Sequence, residues 1–249
     1  MGDFSGKTAF VTGCSSGIGR QSAHALARAG ANVMITDINA DGLKETEAQL
    51  AQYGVGIAST VLDVSDPDAV TAAVQATVKR FGGLQLAHNN AGIMGPVQYL
   101  LSYTPELTEK LFSVNVFGVL YCMQAQLRHM LENGGGSIVN TASVSGVRAV
   151  PMIGVYTATK HAVIGLTKAA AVEYSARGVR INAVCPGFVK TNMTGGQFSE
   201  EVEQALGEQH PIGRFSQPEE IAEAVLWLLS DKASFSTGST MFVDGGQTV

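Results

Sequence analysis

The stretch that decides the fold lies near the start of the chain and reads Thr8-Ala9-Phe10-Val11-Thr12-Gly13-Cys14-Ser15-Ser16-Gly17-Ile18-Gly19. Its first five residues predict a strand, and a helical run follows the glycines. Glycines in such a turn let the backbone approach a ligand closely, and the free N–H groups at the helix start bind phosphate. The spacing differs from the G-x-G-x-x-G dinucleotide pattern, so the turn alone is a moderate indication. The predicted phosphate-binding residues are Gly13, Ser15, Ser16, Gly17, Ile18 and Gly19.

Short β-rich runs alternate with helical runs along the rest of the chain. Several are apolar on both sides, which is typical of strands buried between two helix layers. The pattern predicts a single α/β domain over residues 1–249, with a doubly wound, Rossmann-like, mostly parallel seven-stranded sheet and helices on both faces. The predicted strands are Thr8–Thr12, Asn32–Thr36, Ile57–Leu62, Leu84–His88, Gly136–Ala142, Arg180–Val184 and Met241–Val243. Predicted helix starts are Asp66-Pro67, Thr104-Pro105 and a capping box from Ser216 to Glu219.

Composition excludes several classes of protein. The 249 residues are 45% hydrophobic and 15% charged, which excludes intrinsic disorder. The net charge is −5 and there is no basic run, which argues against nucleic acid or an anionic membrane as a partner. The three cysteines form no C-x-x-C or metal-ligand spacing, and no apolar stretch is long enough to span a bilayer. We expect a cytoplasmic protein without a metal site.

An acidic residue follows the second strand. Asp37 lies 24 residues after Gly13, close to the spacing of the acid that binds an adenosine ribose in dinucleotide-binding proteins. A carboxylate there accepts from the ribose hydroxyls and repels a 2′-phosphate, and neither Ile38 nor Asn39 offers a positive charge. The sequence therefore favours NAD over NADP. Arg20 counts against this preference, because it is close enough in sequence to reach the extra phosphate of NADP.

Two more strand ends point to the same edge of the sheet. Ligands of open α/β sheets bind beyond the carboxyl ends of the strands. Asp63 and Val64 follow the third strand, where the carboxylate is predicted to bond the adenine amino group and the valine to lie near the ring. Further predicted cofactor contacts after the fourth strand are Asn90, Ala91 and Gly92.

Tyr156 and Lys160 are four residues apart in a predicted helix and project side by side. Ser143 ends the fifth strand, at the same edge as the glycine turn. Hydride transfer at a carbinol carbon requires a proton to move at its oxygen. An ammonium about 5 Å from the phenol, at an effective dielectric constant of about 20, favours the phenolate by about 3 kcal/mol. We expect Tyr156 to act as general acid and base, Ser143 to bond the substrate oxygen, and Lys160 also to hold the nicotinamide ribose.

Taken in order, these residues resemble the short-chain dehydrogenase/reductase family, in its short, single-domain, NAD-preferring branch. The resemblance covers essentially the whole chain. The matching motifs are Thr12-Gly13-x-x-x-Gly17-Ile18-Gly19, Asp63-Val64, Asn89-Asn90-Ala91-Gly92, Asn115, Ser143, Tyr156-x-x-x-Lys160, Pro186-Gly187 and Val243-Asp244-Gly245-Gly246.

The resemblance implies further roles for residues of this chain. Asn115 takes the place of the helix asparagine that supports a proton-relaying water in that family. Pro186 and Gly187 precede the family's nicotinamide carboxamide contacts, which map to Val189 and Thr191. It also implies that the enzyme oxidises a secondary alcohol or reduces a ketone with NAD(H).

The loop-like stretch from about residue 190 to 214 is either a surface excursion or, as we predict, a substrate lid with Gly195-Gly196 as its hinge. The side chains predicted to line an apolar substrate pocket are Met94, Arg148, Val150, Met152, Phe188, Met193 and Phe198, which favours a hydrophobic or cyclic substrate.

The runs Leu107–Met130 and Tyr156–Tyr174 are too apolar for one core. We expect them to pair with a second copy, and the family commonly forms homotetramers in this way.

Two other functions remain open from the sequence. One is an NADP-dependent carbonyl reductase. The other is a cofactor-binding regulator that has lost its chemistry. The presence of Ser143, Tyr156 and Lys160 together argues against the regulator, because a protein that only binds a cofactor does not need an activated tyrosine.

Overall fold

One parallel sheet forms the centre of the molecule. The computed structural model describes residues 4–191, 200–208 and 210–249. Within these residues seven strands are hydrogen-bonded in the order β3-β2-β1-β4-β5-β6-β7, all in parallel. The strands are β1 Thr8–Thr12, β2 Asn32–Asp37, β3 Ile57–Val61, β4 Leu86–Asn89, β5 Gly136–Thr141, β6 Val179–Pro186 and β7 Thr240–Val243. The predicted doubly wound fold is confirmed.

Helices connect successive strands and cover both faces of the sheet. They are α1 Gly17–Arg28, α2 Ala40–Leu50, α3 Pro67–Phe81, α4 Pro105–Phe112, α5 Gly118–Glu132, α6 Gly154–Tyr174, α7 Glu200–Gly207 and α8 Pro218–Leu229. Asp66 and Thr104 cap α3 and α4 ahead of a proline in the first turn, as the sequence predicts. The capping box of α8 begins at Gln217, one residue later than predicted, and Glu220 accepts from the Gln217 N–H at 2.8 Å.

Successive side chains of a strand pack into two hydrophobic cores, one on each face of the sheet. Phe10 of β1 packs with Val74 of α3 and Met123 of α5, on one face of the sheet. Val11, the next residue, packs with Leu26 of α1 and Ile221 of α8, on the other face. The strict alternation follows from the two-residue period of a strand. It explains why β1 is buried along its whole length.

The apolar run Leu107–Met130 is not one continuous helix. Residues Ser113–Phe117 form a π-helical segment between α4 and α5. The wider turn places Asn115 inside the fold, where its side chain is fully buried. Segments of this kind often occur at functional sites.

The strand order reverses between β1 and β4, because β2 and β3 lie on one side of β1 and β4 to β7 lie on the other. The carboxyl ends of β1 and β4 therefore part to leave a crevice, which is where open α/β sheets bind ligands. Over the described residues, no helix has the length and hydropathy needed to cross a membrane.

Candidate active site

A cavity of about 570 Å³ opens at this crevice. Its wall brings together strand ends that are far apart in sequence. It contains most of the predicted cofactor-binding residues, namely Gly13, Ser15, Ser16, Gly17, Ile18, Asp37, Asn90, Ala91, Gly92, Tyr156, Lys160, Pro186, Gly187, Val189 and Thr191.

The glycine turn is shaped for close approach to a ligand. Gly13 has a φ of +74°, and a Cβ at this position would lie 2.8 Å from the Asn90 side-chain nitrogen. At the start of α1, the described residues give the Ser16 side chain no capping hydrogen bond, and the first turn of the helix has no acidic residue. The N–H groups of this turn can therefore bind an anionic group at the cavity wall.

Hydrogen bonds join the ends of β1 and β4 across the crevice. The hydroxyl oxygen of Thr12 accepts from the backbone N–H groups of Asn90 and Ala91, each at 2.9 Å. The Asn90 side-chain nitrogen in turn donates to the Thr12 carbonyl at 3.2 Å. These contacts hold the loop after β4 against the glycine turn, so the two sides of the cavity form one surface.

Asp37 ends β2 and lies at the cavity wall. Its Oδ2 accepts from the Ser15 N–H and its Oδ1 accepts from the Asn39 N–H, both at 2.9 Å. The carboxylate is thus tied to the glycine turn. Arg20 forms an ion pair with Glu45 at 2.9 Å and also donates to the Ser15 carbonyl, so its charge is already compensated.

Ser143, Tyr156 and Lys160 meet on the wall of the same cavity. Ser143 follows β5 and its hydroxyl oxygen accepts from the Ser145 N–H at 3.1 Å. The Lys160 ammonium lies 5.6 Å from the centroid of the Tyr156 ring and donates to the Thr141 carbonyl at 2.8 Å. The predicted serine, tyrosine and lysine therefore occupy one site, beside the glycine turn.

Burial controls the protonation of this site. It raises the pKa of Tyr156 to about 12, although a hydrogen bond with Ser143 acts in the opposite direction. The sequence-based expectation of a lowered Tyr156 pKa is therefore wrong for the chain by itself. Burial also lowers the pKa of Lys160 to about 8. The same removal of water that weakens the phenolate weakens the ammonium expected to stabilise it.

Asn115 lies behind the cavity and clamps the loop after β4. Its Oδ1 accepts from the Ile93 N–H and its Nδ2 donates to the Ile93 carbonyl, both at 2.8 Å. The same Nδ2 donates to the Thr159 hydroxyl at 3.1 Å, next to Lys160 on α6. A Cβ on Gly92 would lie 3.2 Å from Asn115 Oδ1 and 3.6 Å from Lys160 Nζ. Asn115 is thus close to the lysine, and its proposed part in proton relay stays a prediction.

Three predicted cofactor contacts do not line the cavity. Gly19 lies behind the turn, where a Cβ would meet the Gly13 carbonyl. The Asp63 carboxylate accepts from the Ser65 N–H at 2.9 Å and from its hydroxyl at 2.7 Å. Val64 is buried in the core, and its side chain lies against Gly118 of α5. The adenine contacts of Asp63 and Val64 stay predictions.

Four residues of the predicted substrate pocket also line the cavity. They are Met94, Arg148, Val150 and Phe188, and Leu206 of α7 lines it with them. Met152 is not part of this wall. Met193, Phe198 and the Gly195-Gly196 hinge lie outside the described residues. Of the predicted lid, Thr191 and, in α7, Leu206 are the described residues that line the cavity.

Sequence reasoning missed several residues of the site. Thr12 ends β1, and its hydroxyl oxygen accepts from the Asn90 N–H. Thr141 ends β5, and its carbonyl accepts from the Lys160 ammonium. A polar residue at the end of a buried strand was the available signal for both. Gln247 lines the cavity as well, and nothing in its sequence position indicates this, since it arrives from the far end of the chain.

Comparisons with known proteins place the chain in a family. A family model described as enoyl-(acyl carrier protein) reductase matches residues 13–248. The chain is 46% identical over 251 residues to 2,5-dichloro-2,5-cyclohexadiene-1,4-diol dehydrogenase of Sphingobium indicum, covering 100% of this chain and 99% of that protein. It is 42% identical over 245 residues to cyclohexanol dehydrogenase of an Acinetobacter species, covering 98% and 96%. A crystal structure of levodione reductase superimposes with a TM-score of 0.95 at 37% identity, covering 98% of each chain.

The chain belongs to the short-chain dehydrogenase/reductase family. It is an oxidoreductase of the type that interconverts alcohols and ketones with a nicotinamide cofactor.

Proposed function

We propose that this protein is an NAD-dependent dehydrogenase that oxidises cyclic secondary alcohols or reduces the corresponding ketones. The observation that carries the proposal is the meeting of Ser143, Tyr156 and Lys160 on one cavity wall beside the glycine turn. The cyclohexanol and cyclohexadienediol dehydrogenases among its relatives, and the levodione reductase structure, support a ring-shaped substrate. The apolar side chains of Val150, Phe188 and Leu206 in the cavity wall suit such a ring.

The residues present fit a nicotinamide dinucleotide. The glycine turn and the uncapped start of α1 would hold the pyrophosphate. Asp37 would accept from the adenosine ribose, and Lys160 would hold the nicotinamide ribose. We propose further contacts through Asn90, Ala91, Gly92, Pro186, Gly187, Val189 and Thr191. When bound, the nicotinamide supplies the hydride acceptor or donor and, in its oxidised form, a positive charge.

Tyr156 exchanges the proton at the substrate oxygen. In ketone reduction its phenol, held protonated by burial, donates to the carbonyl oxygen as the carbon receives hydride. In alcohol oxidation its phenolate accepts the hydroxyl proton as the carbon loses hydride. Ser143 donates to the same oxygen and stabilises its developing charge. Because burial opposes the phenolate, oxidation depends on the positive charge of Lys160 and of the oxidised cofactor.

The choice of NAD over NADP rests on charge at the end of β2. A 2′-phosphate on the adenosine ribose would approach the Asp37 carboxylate, which the Ser15 N–H holds at the cavity wall. Arg20, the cation considered from the sequence, is paired with Glu45. An NADP-dependent carbonyl reductase would need a free cation at this place.

The reaction is tested by following absorbance of the reduced nicotinamide with NAD or NADP and a panel of linear and cyclic secondary alcohols. We expect turnover with NAD, and higher kcat/KM for cyclic than for linear alcohols of equal carbon number. Absence of turnover with every alcohol and both dinucleotides, in protein that binds NADH, would favour the non-catalytic regulator.

Asp37→Ala tests the charge argument. Placing like charges together costs several kcal/mol, so we expect the ratio of kcat/KM for NADP to that for NAD to rise at least about tenfold. Asp68→Ala, which removes an exposed acid from α3, is the matched control and should leave the ratio unchanged. An unchanged ratio in Asp37→Ala would mean that this carboxylate does not set the preference.

We further propose a homotetramer in the cytoplasm. The α6 residues Ala158, Gly165, Ala169 and Val172 share an exposed face, and Phe117 beside α5 is 43% exposed. The three cysteines are buried and unpaired, as is usual in a reducing compartment.

A further inference from the structure

The cavity wall contains a buried amide that the hydride chemistry does not use. Gln247 lines the cavity and is 7% exposed. In the part of the chain that the structure describes, its Oε1 has no hydrogen-bond partner. An unpaired polar atom in a buried position costs free energy. Because Gln247 lines the cavity, a turn of its terminal amide lets Oε1 find the missing donor on a bound ligand.

The backbone around Gln247 is fixed, so the amide is held in position. Arg148, another cavity residue, donates from Nη1 to the Gln247 carbonyl at 2.9 Å. The Asp244 carboxylate accepts from the N–H groups of Gly246 and Thr248, each at 3.0 Å. The Gln247 N–H donates to the Asp244 carbonyl at 3.1 Å. The backbone at Gln247 therefore needs no further ordering when the side chain binds a ligand.

The neighbouring histidine cannot supply the missing donor. A Cβ on Gly187 would lie 2.8 Å from His210 Nε2 and 3.0 Å from Gln247 Oε1, so both atoms border the same spot. His210 Nε2 already accepts from the Phe188 N–H at 3.2 Å, while its Nδ1 lies 3.2 Å from the Leu206 carbonyl. The proton therefore belongs on Nδ1, and Nε2 presents an acceptor beside Oε1.

We propose that the Gln247 amide binds a second hydroxyl of the substrate, so that the preferred substrates are ring alcohols with two hydroxyl groups or the matching hydroxyketones. A hydroxyl donates to Oε1 and so supplies the partner that this atom lacks. Tyr156 and Ser143 bind the reacting oxygen, and the ring lies against Val150 and Phe188. This inference rests on the proposed function and makes Gln247 a specificity-determining residue of the same cavity.

The test compares cyclohexanol with the 1,2-, 1,3- and 1,4-cyclohexanediols, using NAD and the full-length protein. In the wild type we expect at least one diol to exceed cyclohexanol in kcat/KM by at least about tenfold. Gln247→Met, an apolar side chain of similar length, should remove that preference by lowering kcat/KM for the diol. The ratio of kcat/KM for that diol to kcat/KM for cyclohexanol should therefore fall to about one. Gln52→Met, at an exposed position away from the cavity, is the matched control.

Fluorescence titration with NADH, measured on each variant, separates the outcomes. Unchanged NADH affinity with loss of the diol preference supports the inference. A diol preference that is absent in the wild type, or that survives in Gln247→Met, overturns it and leaves the proposed function intact. Weaker NADH binding in Gln247→Met, with equal losses for all alcohols, also overturns it, because Gln247 then serves the cofactor. Absence of turnover with every alcohol overturns both proposals.

Discussion

Lys160 is the residue at which function and stability oppose each other. Lys160 is only 4% exposed, and its ammonium donates to the Thr141 carbonyl at 2.8 Å. The same burial lowers its pKa to about 8, which means that the folded protein resists the charge that the proposed chemistry needs. A folded chain keeps such a group only at a cost in stability. Tyr156 shows the counterpart, since burial also disfavours its charged form.

This opposition predicts a pH-dependent gain of stability in Lys160→Met. The folded pKa lies below the ordinary value of 10.5. Between about pH 8 and 10.5 the unfolded wild type therefore binds a proton that the folded protein has released, and wild-type stability rises with pH. The variant lacks this gain. The free energy of unfolding of the variant minus that of wild type should therefore be largest near pH 7. This difference should fall by up to about 3 kcal/mol by pH 10.5.

Urea unfolding at a series of pH values measures this difference. Lys79→Met, which replaces an exposed lysine of α3, is the control and should show no such trend. A difference between wild type and Lys160→Met that does not vary with pH would contradict the buried, charge-resisting position of the lysine.

At the scale of elements, the sequence predicted the seven strands to within two residues at each end, and the doubly wound order with them. Both depend on local signals, namely apolar runs, glycine turns and capping residues. The π-helical segment Ser113–Phe117 was not predictable in this way. Its residues continue the apolar pattern of a helix, and the wider turn reflects packing of Asn115 against Ile93 and Thr159, which come from other parts of the chain.

The π-helical segment should depend on that asparagine. Asn115→Leu leaves the N–H and carbonyl of Ile93 without the partners they have at 2.8 Å. Each unpaired buried group costs about 1–3 kcal/mol, so we expect the free energy of unfolding to fall by about 2 kcal/mol or more. Urea denaturation measures it without cofactor or substrate. Asn133→Ala, at the exposed end of α5, should change it by less than about 0.5 kcal/mol. An undiminished stability of Asn115→Leu would show that this clamp is not structural.

At the scale of the whole molecule, the site is assembled from both ends of the chain. The glycine turn, Ser143, Tyr156 and Lys160 were predictable because each follows a strand or shares a helix face. Gln247 was not, because its contribution depends on where the C-terminal segment packs in the folded molecule. The Tyr156 pKa was mistaken for a related reason. Spacing gives the distance to Lys160, whereas burial depends on everything packed around it.

The proposed assembly depends on the exposed face of α6. Apart from its chain neighbours and the backbone of its own helix, no described atom lies within 4 Å of a Cβ added at Gly165, so Gly165→Arg is tolerated by the single chain. In a helix pair it places a bulky charge where two copies approach closely. We expect light scattering to give a mass near four times 26.0 kDa for wild type and a lower mass for the variant. Ala76→Arg, at an exposed position of α3, is the control. An unchanged mass in Gly165→Arg would place the interface elsewhere.

The most direct test of the central claim is Tyr156→Phe, which removes one hydroxyl and leaves the ring beside Lys160. General acid–base groups contribute about 10²–10⁴-fold, so kcat with NAD and a cyclic alcohol should fall at least about a hundredfold. NADH affinity by fluorescence titration should stay within about twofold, and Tyr174→Phe, at the end of the same helix, should match wild type in both. A Tyr156→Phe enzyme that turns over at a near-normal rate would contradict the assignment of this phenol as the group that exchanges the proton.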